Sequence, residues 1–105
     1  MTNLAPLEVI ANVAIAETGE LLLKLESGGD PTYQYVYRAG AGVYWEPSFG
    51  GFKTTQQRGW PYAKWFAHTV EVVQAELGLK LVLGKHTTWT NVSPAIQDEL
   101  LHAVT

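Results

Sequence analysis

Apolar and polar positions alternate early in the chain. Leu7, Val9, Ala11, Val13 and Ile15 interleave with Glu8, Ile10, Asn12, Ala14 and Ala16, the period of a half-buried strand. Glu17 to Glu20 can turn the chain, and Leu21, Leu23 and Leu25 then alternate with Leu22, Lys24 and Glu26. The two runs predict a hairpin. Ser27-Gly28-Gly29-Asp30-Pro31 breaks the pattern. Tyr33 to Arg38, rich in β-favouring side chains, is predicted as a third strand. In a strand, Tyr33, Tyr35 and Tyr37 share one face and Gln34, Val36 and Arg38 the other. Val43 to Glu46 and Phe52 to Thr55, on either side of a turn at Pro47–Gly51, supply two more short strands.

After Gly59 the period becomes helical. Tyr62, Trp65, Phe66, Thr69, Val70, Val73 and Leu77 fall on one stripe, with Lys64, His68, Glu71 and Gln74 toward the other side. Pro61 suits a helix start and Gly78 a helix end, so the main helix is expected over about 61–77. Leu79 to Leu83 offers a short strand, and Thr87 to Val92 reads equally as a strand or a loop. A C-terminal helix over about 94–104 starts at Ser93-Pro94 and puts Ile96, Leu100, Ala103 and Val104 on one face. Strands followed by helices, without strict alternation, predict one α+β domain over residues 1–105. Its expected architecture is an antiparallel β-meander of four to five strands with helices packed on one face.

Composition sharpens this picture. Apolar residues make up 47% of the chain, enough for a folded core, whereas charged residues reach only 16% against a usual value of about 25%. A small domain with so few charges cannot cover its surface with polar groups, which points to burial against another chain. Cysteine is absent, which excludes disulfides, thiolate metal sites and cysteine nucleophiles and suggests a reducing, cytoplasmic setting. The apolar start carries Glu8 and Asn12 and no basic run, so it reads as a strand and not as a leader. No stretch approaches the ~20 apolar residues that a membrane helix needs.

Aromatic residues and charge are both segregated. Eleven of the twelve rings lie between Tyr33 and Phe66, and only Trp89 falls outside. Residues 1–31 carry a net charge of −4, residues 32–68 a net of +3 and residues 69–105 a net of −2. The middle third is thus aromatic and basic within an acidic chain. One small core cannot hold all of these rings with every hydroxyl and indole N–H paired, so some must line an interface, groove or pocket, where Tyr, Trp and Arg are enriched. The candidate residues are Tyr33, Tyr35, Tyr37, Arg38, Trp45, Lys53, Arg58, Trp60, Tyr62 and Trp65.

Catalytic patterns are weak by comparison. His68, His86 and His102 are far apart and stand at no metal-ligand spacing, so neither a metal nor another cofactor is expected. His68 reads as a solvated helix residue, or as a general base oriented by Glu71 that lacks a nucleophile. The pairs at Gly40/Gly42 and Gly50-Gly51 are turn glycines, not a phosphate loop. Glu46 is expected to pair with Arg38 or Lys53.

The run Tyr35-Val36-Tyr37-Arg38-Ala39-Gly40-Ala41-Gly42-Val43-Tyr44-Trp45, with Phe52-Lys53 and Trp65-Phe66 after it, resembles small proteins encoded by bacterial integron gene cassettes. The resemblance implies a compact α+β protein that forms homo-oligomers. It implies no activity and supplies no catalytic residues. The reading from the residues is a non-enzymatic module that self-associates through an aromatic, locally basic surface. Two alternatives remain open. One is a small-molecule protein, binding or enzymatic, whose pocket lies between the aromatic strands and the main helix and takes a planar or anionic ligand. The other is a binder of single-stranded nucleic acid, disfavoured by the net charge of −3.

Overall fold

A computed structural model describes residues 6–55 and 59–103. Five strands form a mixed sheet in the order β3-β4-β2-β1-β5, with β1 at Leu7–Ile15, β2 at Leu21–Leu25, β3 at Val43–Glu46, β4 at Gly51–Thr54 and β5 at Lys80–Thr90. The hairpin β1–β2, the pair β2–β4 and the pair β4–β3 are antiparallel, and β5 joins β1 in parallel. The protein is α+β, with helix α1 at Tyr62–Leu77 and helix α2 at Pro94–Ala103. No described helix is long and apolar enough to cross a membrane.

The α1 stripe behaves as its period dictates. Trp65, Phe66, Thr69 and Val73 are buried against the sheet, while Lys64, Glu71 and Gln74 are exposed. Pro61 precedes the first helical residue, and Gly78 ends the helix at φ 71° with its N–H bonded to the Gln74 carbonyl at 2.9 Å. Ser93 caps α2 by accepting from the Ile96 N–H at 3.3 Å, and Leu100 is buried beneath it.

The segment predicted as a third strand is a 3₁₀ helix, Pro31–Ala39. Asp30 caps it: its Oδ1 accepts from the Thr32 N–H at 2.9 Å and its carbonyl from the Tyr33 N–H at 2.9 Å. Pro31 supplies the helical φ at the first position and Gly40 ends the element at φ 60°. Three residues per turn then align Tyr33 with Val36, Gln34 with Tyr37, and Tyr35 with Arg38. Burial follows that period and not the strand period: Val36 is fully buried, Tyr33 half-buried, and Tyr35 and Tyr37 exposed. The expected single face of tyrosines therefore does not form.

Strands β1 and β5 also depart from simple alternation. The β1 register shifts between Ile10 and Asn12, so that Ile10 and Val13 both turn into the core. Opposite this point β5 bulges through Gly84–Thr87, where the Thr87 hydroxyl donates to the Ile10 carbonyl at 2.6 Å and accepts from the Gly84 N–H at 2.8 Å. The bulge keeps the two predicted segments, Leu79–Leu83 and Thr87–Val92, within one strand ending at Thr90. Across the outer face the register aligns Tyr44, Lys53, Leu22, Ala14 and Thr90 in one row, on the side away from the buried core.

Candidate functional site

The aromatic residues divide into two inward clusters and an outward set. In the first cluster Tyr33 stacks on Phe52, with centroids 5.9 Å apart, and meets Trp45 edge to face at 5.3 Å. Trp45 and Phe52 are paired across β3 and β4, and their rings lie 4.9 Å apart. The Tyr33 hydroxyl donates to Glu8 on β1, whose other carboxylate oxygen accepts from the Ser27 hydroxyl at 2.8 Å. In the second cluster Trp60 lies 4.8 Å from Trp65, and His68 sits edge-on to both at 5.0 and 5.7 Å. The Tyr62 hydroxyl ties α1 to the β1–β2 turn by donating to the Gly19 carbonyl at 2.9 Å.

His68 is not a solvated surface residue. It is half-buried against the two indoles, with Nε2 2.9 Å from the Ala41 carbonyl, while Glu71 stays exposed. Helical spacing explains this, because positions three apart are neighbours and Trp65 draws His68 inward. A His68–Glu71 base is therefore not assembled. Among the described residues no group of His, Asp or Glu is arranged to hold a metal ion.

The outward set comprises Tyr35, Tyr37, Arg38, Tyr44 and Lys53. The Arg38 guanidinium lies over the Tyr35 ring at 4.3 Å, the i, i+3 contact of a 3₁₀ helix. Tyr37 is 54% exposed and Tyr44, on the edge strand, 43%. Lys53 lies beside Tyr44 and pairs with Glu46 at 4.0 Å, as expected for that carboxylate. The Glu20 carboxyl is held below its usual range by the Thr18 hydroxyl first, with a lesser contribution from Lys53. The charge of Lys53, a candidate for the basic surface, thus partly meets acids of its own chain. Lys64 adds a second cation–ring contact, its ammonium 4.5 Å from the Trp60 ring. Arg58 lies outside the described residues.

Between the sheet and α1, where sequence placed a pocket, the space is filled by Trp65, Phe66, Phe52, Leu21, Leu23 and Leu25, all buried in one core cluster. A pocket of about 370 Å³ opens instead at the far end of the 3₁₀ helix, lined by Gly28 to Pro31, Gln34, Trp45 and Pro47. Only Trp45 of the predicted residues lines it. The remaining signal was present in Gly28-Gly29-Asp30-Pro31, which read only as a break. Gly29 sits at φ +86°, and a Cβ there would fall 2.1 Å from the Trp45 ring, so glycine lets the indole close over the loop.

Burial, and then the hydrogen bond to Glu8, push the Tyr33 phenol well above its usual range. The folded protein therefore holds this proton more tightly than the unfolded chain. That contribution is complete below the unfolded value of about 10 and is lost as pH rises through the folded value. Denaturant unfolding at rising pH should show stability falling above about pH 10, and Tyr33→Phe should flatten the fall. Equal slopes in both proteins would remove Tyr33 from the account.

No family model and no curated protein matches this chain. Among solved structures it is similar to Hfx_Cass5, an integron cassette protein from the mobile metagenome of the North West Arm Sewage Outfall. The two share 33% identity over 91% of this chain and 93% of the other, with a TM-score of 0.40. On that identity, over nearly the whole of both chains, the chain belongs to the integron cassette proteins typified by Hfx_Cass5.

Proposed function

We propose that the protein is a non-enzymatic binding module that self-associates through the outward side chains of its 3₁₀ helix and edge strand. The observation that carries this reading is the exposure of Tyr35, Tyr37 and Tyr44, three of the five large hydrophobic side chains exposed among the described residues. Each stands on a regular backbone element, so contact has to order the side chain alone. Tyrosine and arginine dominate the energetic centres of protein interfaces, and the Tyr35–Arg38 stack offers both in one patch. The low charge content supports the same reading, since an interface relieves the shortage of polar cover.

Sedimentation velocity at tens of micromolar tests it. The native protein should run as a dimer or larger. The double variant Tyr35→Glu/Tyr37→Glu should run as a monomer with an unchanged far-UV spectrum, because each exposed anchor lost costs about 2 kcal/mol of association. A monomeric native protein, or a variant that keeps the native mass, would overturn the proposal.

A further inference from the structure

The pocket beside Trp45 has a chemical character opposite to that of the basic segment next to it. We propose that it binds an organic cation, an ammonium or guanidinium group carried on a small apolar body. Its volume of about 370 Å³ suits a small molecule. Among the described residues, Asp30 is the one charged residue in its lining. Trp45, the best of the ring types for cation–π contact, forms a wall, and the Tyr33 and Phe52 rings fix its plane before any ligand arrives.

The hydrogen-bonding inventory of the loop gives the sign of the ligand. Pro31 and Pro47 have no N–H to offer. The Gly28 N–H is spent on the Leu25 carbonyl at 3.3 Å and the Gly29 N–H on the Ser27 hydroxyl at 3.0 Å. At the start of the 3₁₀ helix, the Thr32 and Tyr33 N–H groups are taken by Asp30 itself. An anion would find the helix terminus already occupied by a carboxylate. The Asp30 Oδ1 takes the Thr32 N–H and the Thr32 hydroxyl at 2.7 Å, which leaves Oδ2 without a hydrogen bond from any described residue. Those same two contacts, the backbone N–H first, hold the Asp30 carboxyl below its usual range and so keep it charged. The backbone N–H groups of Gly28, Gly29, Thr32 and Tyr33 are thus spent while the Asp30 carboxylate keeps an oxygen available, and a ligand that brings its own positive charge complements it. Gln34 adds an amide on the same wall. Tyr37, one 3₁₀ turn beyond Gln34 and exposed, extends the aromatic surface outward.

The test is a pair of NMR titrations with benzyltrimethylammonium and benzoate, matched in ring and opposite in charge, following the indole N–H resonance of Trp45. The cation should give a saturable shift below about 10 mM and the anion none. Asp30→Asn removes the charge but keeps a good helix cap, so the variant should fold normally. It should bind the cation about tenfold more weakly or worse, the loss expected for one charge-assisted contact. Binding of benzoate as tightly as the cation, an Asp30→Asn variant that binds undiminished, or no saturation by either probe would each overturn the assignment.

Discussion

Trp65→Ala is expected to cost about 3–5 kcal/mol, since Trp65 is the bulkiest of the fully buried side chains among the described residues. Trp65 is completely buried at the first turn of α1. It packs beside Trp60 and His68, and the Gly42 backbone closes over it so tightly that a Cβ there would lie 3.2 Å from the indole. Truncation leaves a cavity between α1 and the loop before β3, and it also frees His68, which holds the Ala41 carbonyl. Domains of this size have about 5–15 kcal/mol to lose, so the variant should be marginal at room temperature. Urea unfolding followed by far-UV circular dichroism measures the effect. Trp65→Phe, which keeps an apolar ring in the same place, should recover most of it. A loss below about 1 kcal/mol would mean that α1 is not anchored as described.

Gly51→Ala should cost about 2–3 kcal/mol, although it adds only one methyl group. Gly51 is buried in β4, opposite Lys24 of β2 and Glu46 of β3. A Cβ at Gly51 would stand 2.3 Å from the Leu23 carbonyl oxygen and 2.5 Å from the Phe49 ring. The ring can swing aside, but the carbonyl belongs to the ladder and cannot move without parting β2 from β4. Hydrogen exchange should therefore accelerate at the β2 and β4 amides more than in α1. The double variant Phe49→Ala/Gly51→Ala separates the two obstacles. If it regains native stability, the ring and not the backbone was the barrier.

Much of the fold was legible because local period and burial agree. The α1 stripe, its terminal Gly78, the Ser93 cap of α2 and the β1–β2 hairpin each follow from spacing within one element. The candidate site was legible only in part. Of the candidate residues Tyr35 and Tyr37 lie exposed, and Glu46 pairs with Lys53. The segment from Tyr33 to Arg38 was misread because tyrosine and valine favour strands, while the Asp30-Pro31 start and the Tyr33/Val36 spacing favour a three-residue turn. With that period reversed, one row of tyrosines became three separate faces, and the inferred aromatic surface lost Tyr33 to the interior.

By itself the sequence determined the α+β class and the main helix with its buried face. Tertiary structure alone decided that β5 adds to β1 in parallel, that a bulge past Ile10 turns both Ile10 and Val13 inward, and that Asp30 lines the pocket. The division has a physical cause. Period and capping are set by neighbours a few positions away. Strand order, bulges and the charge of a cavity depend on groups that meet only after distant segments have packed.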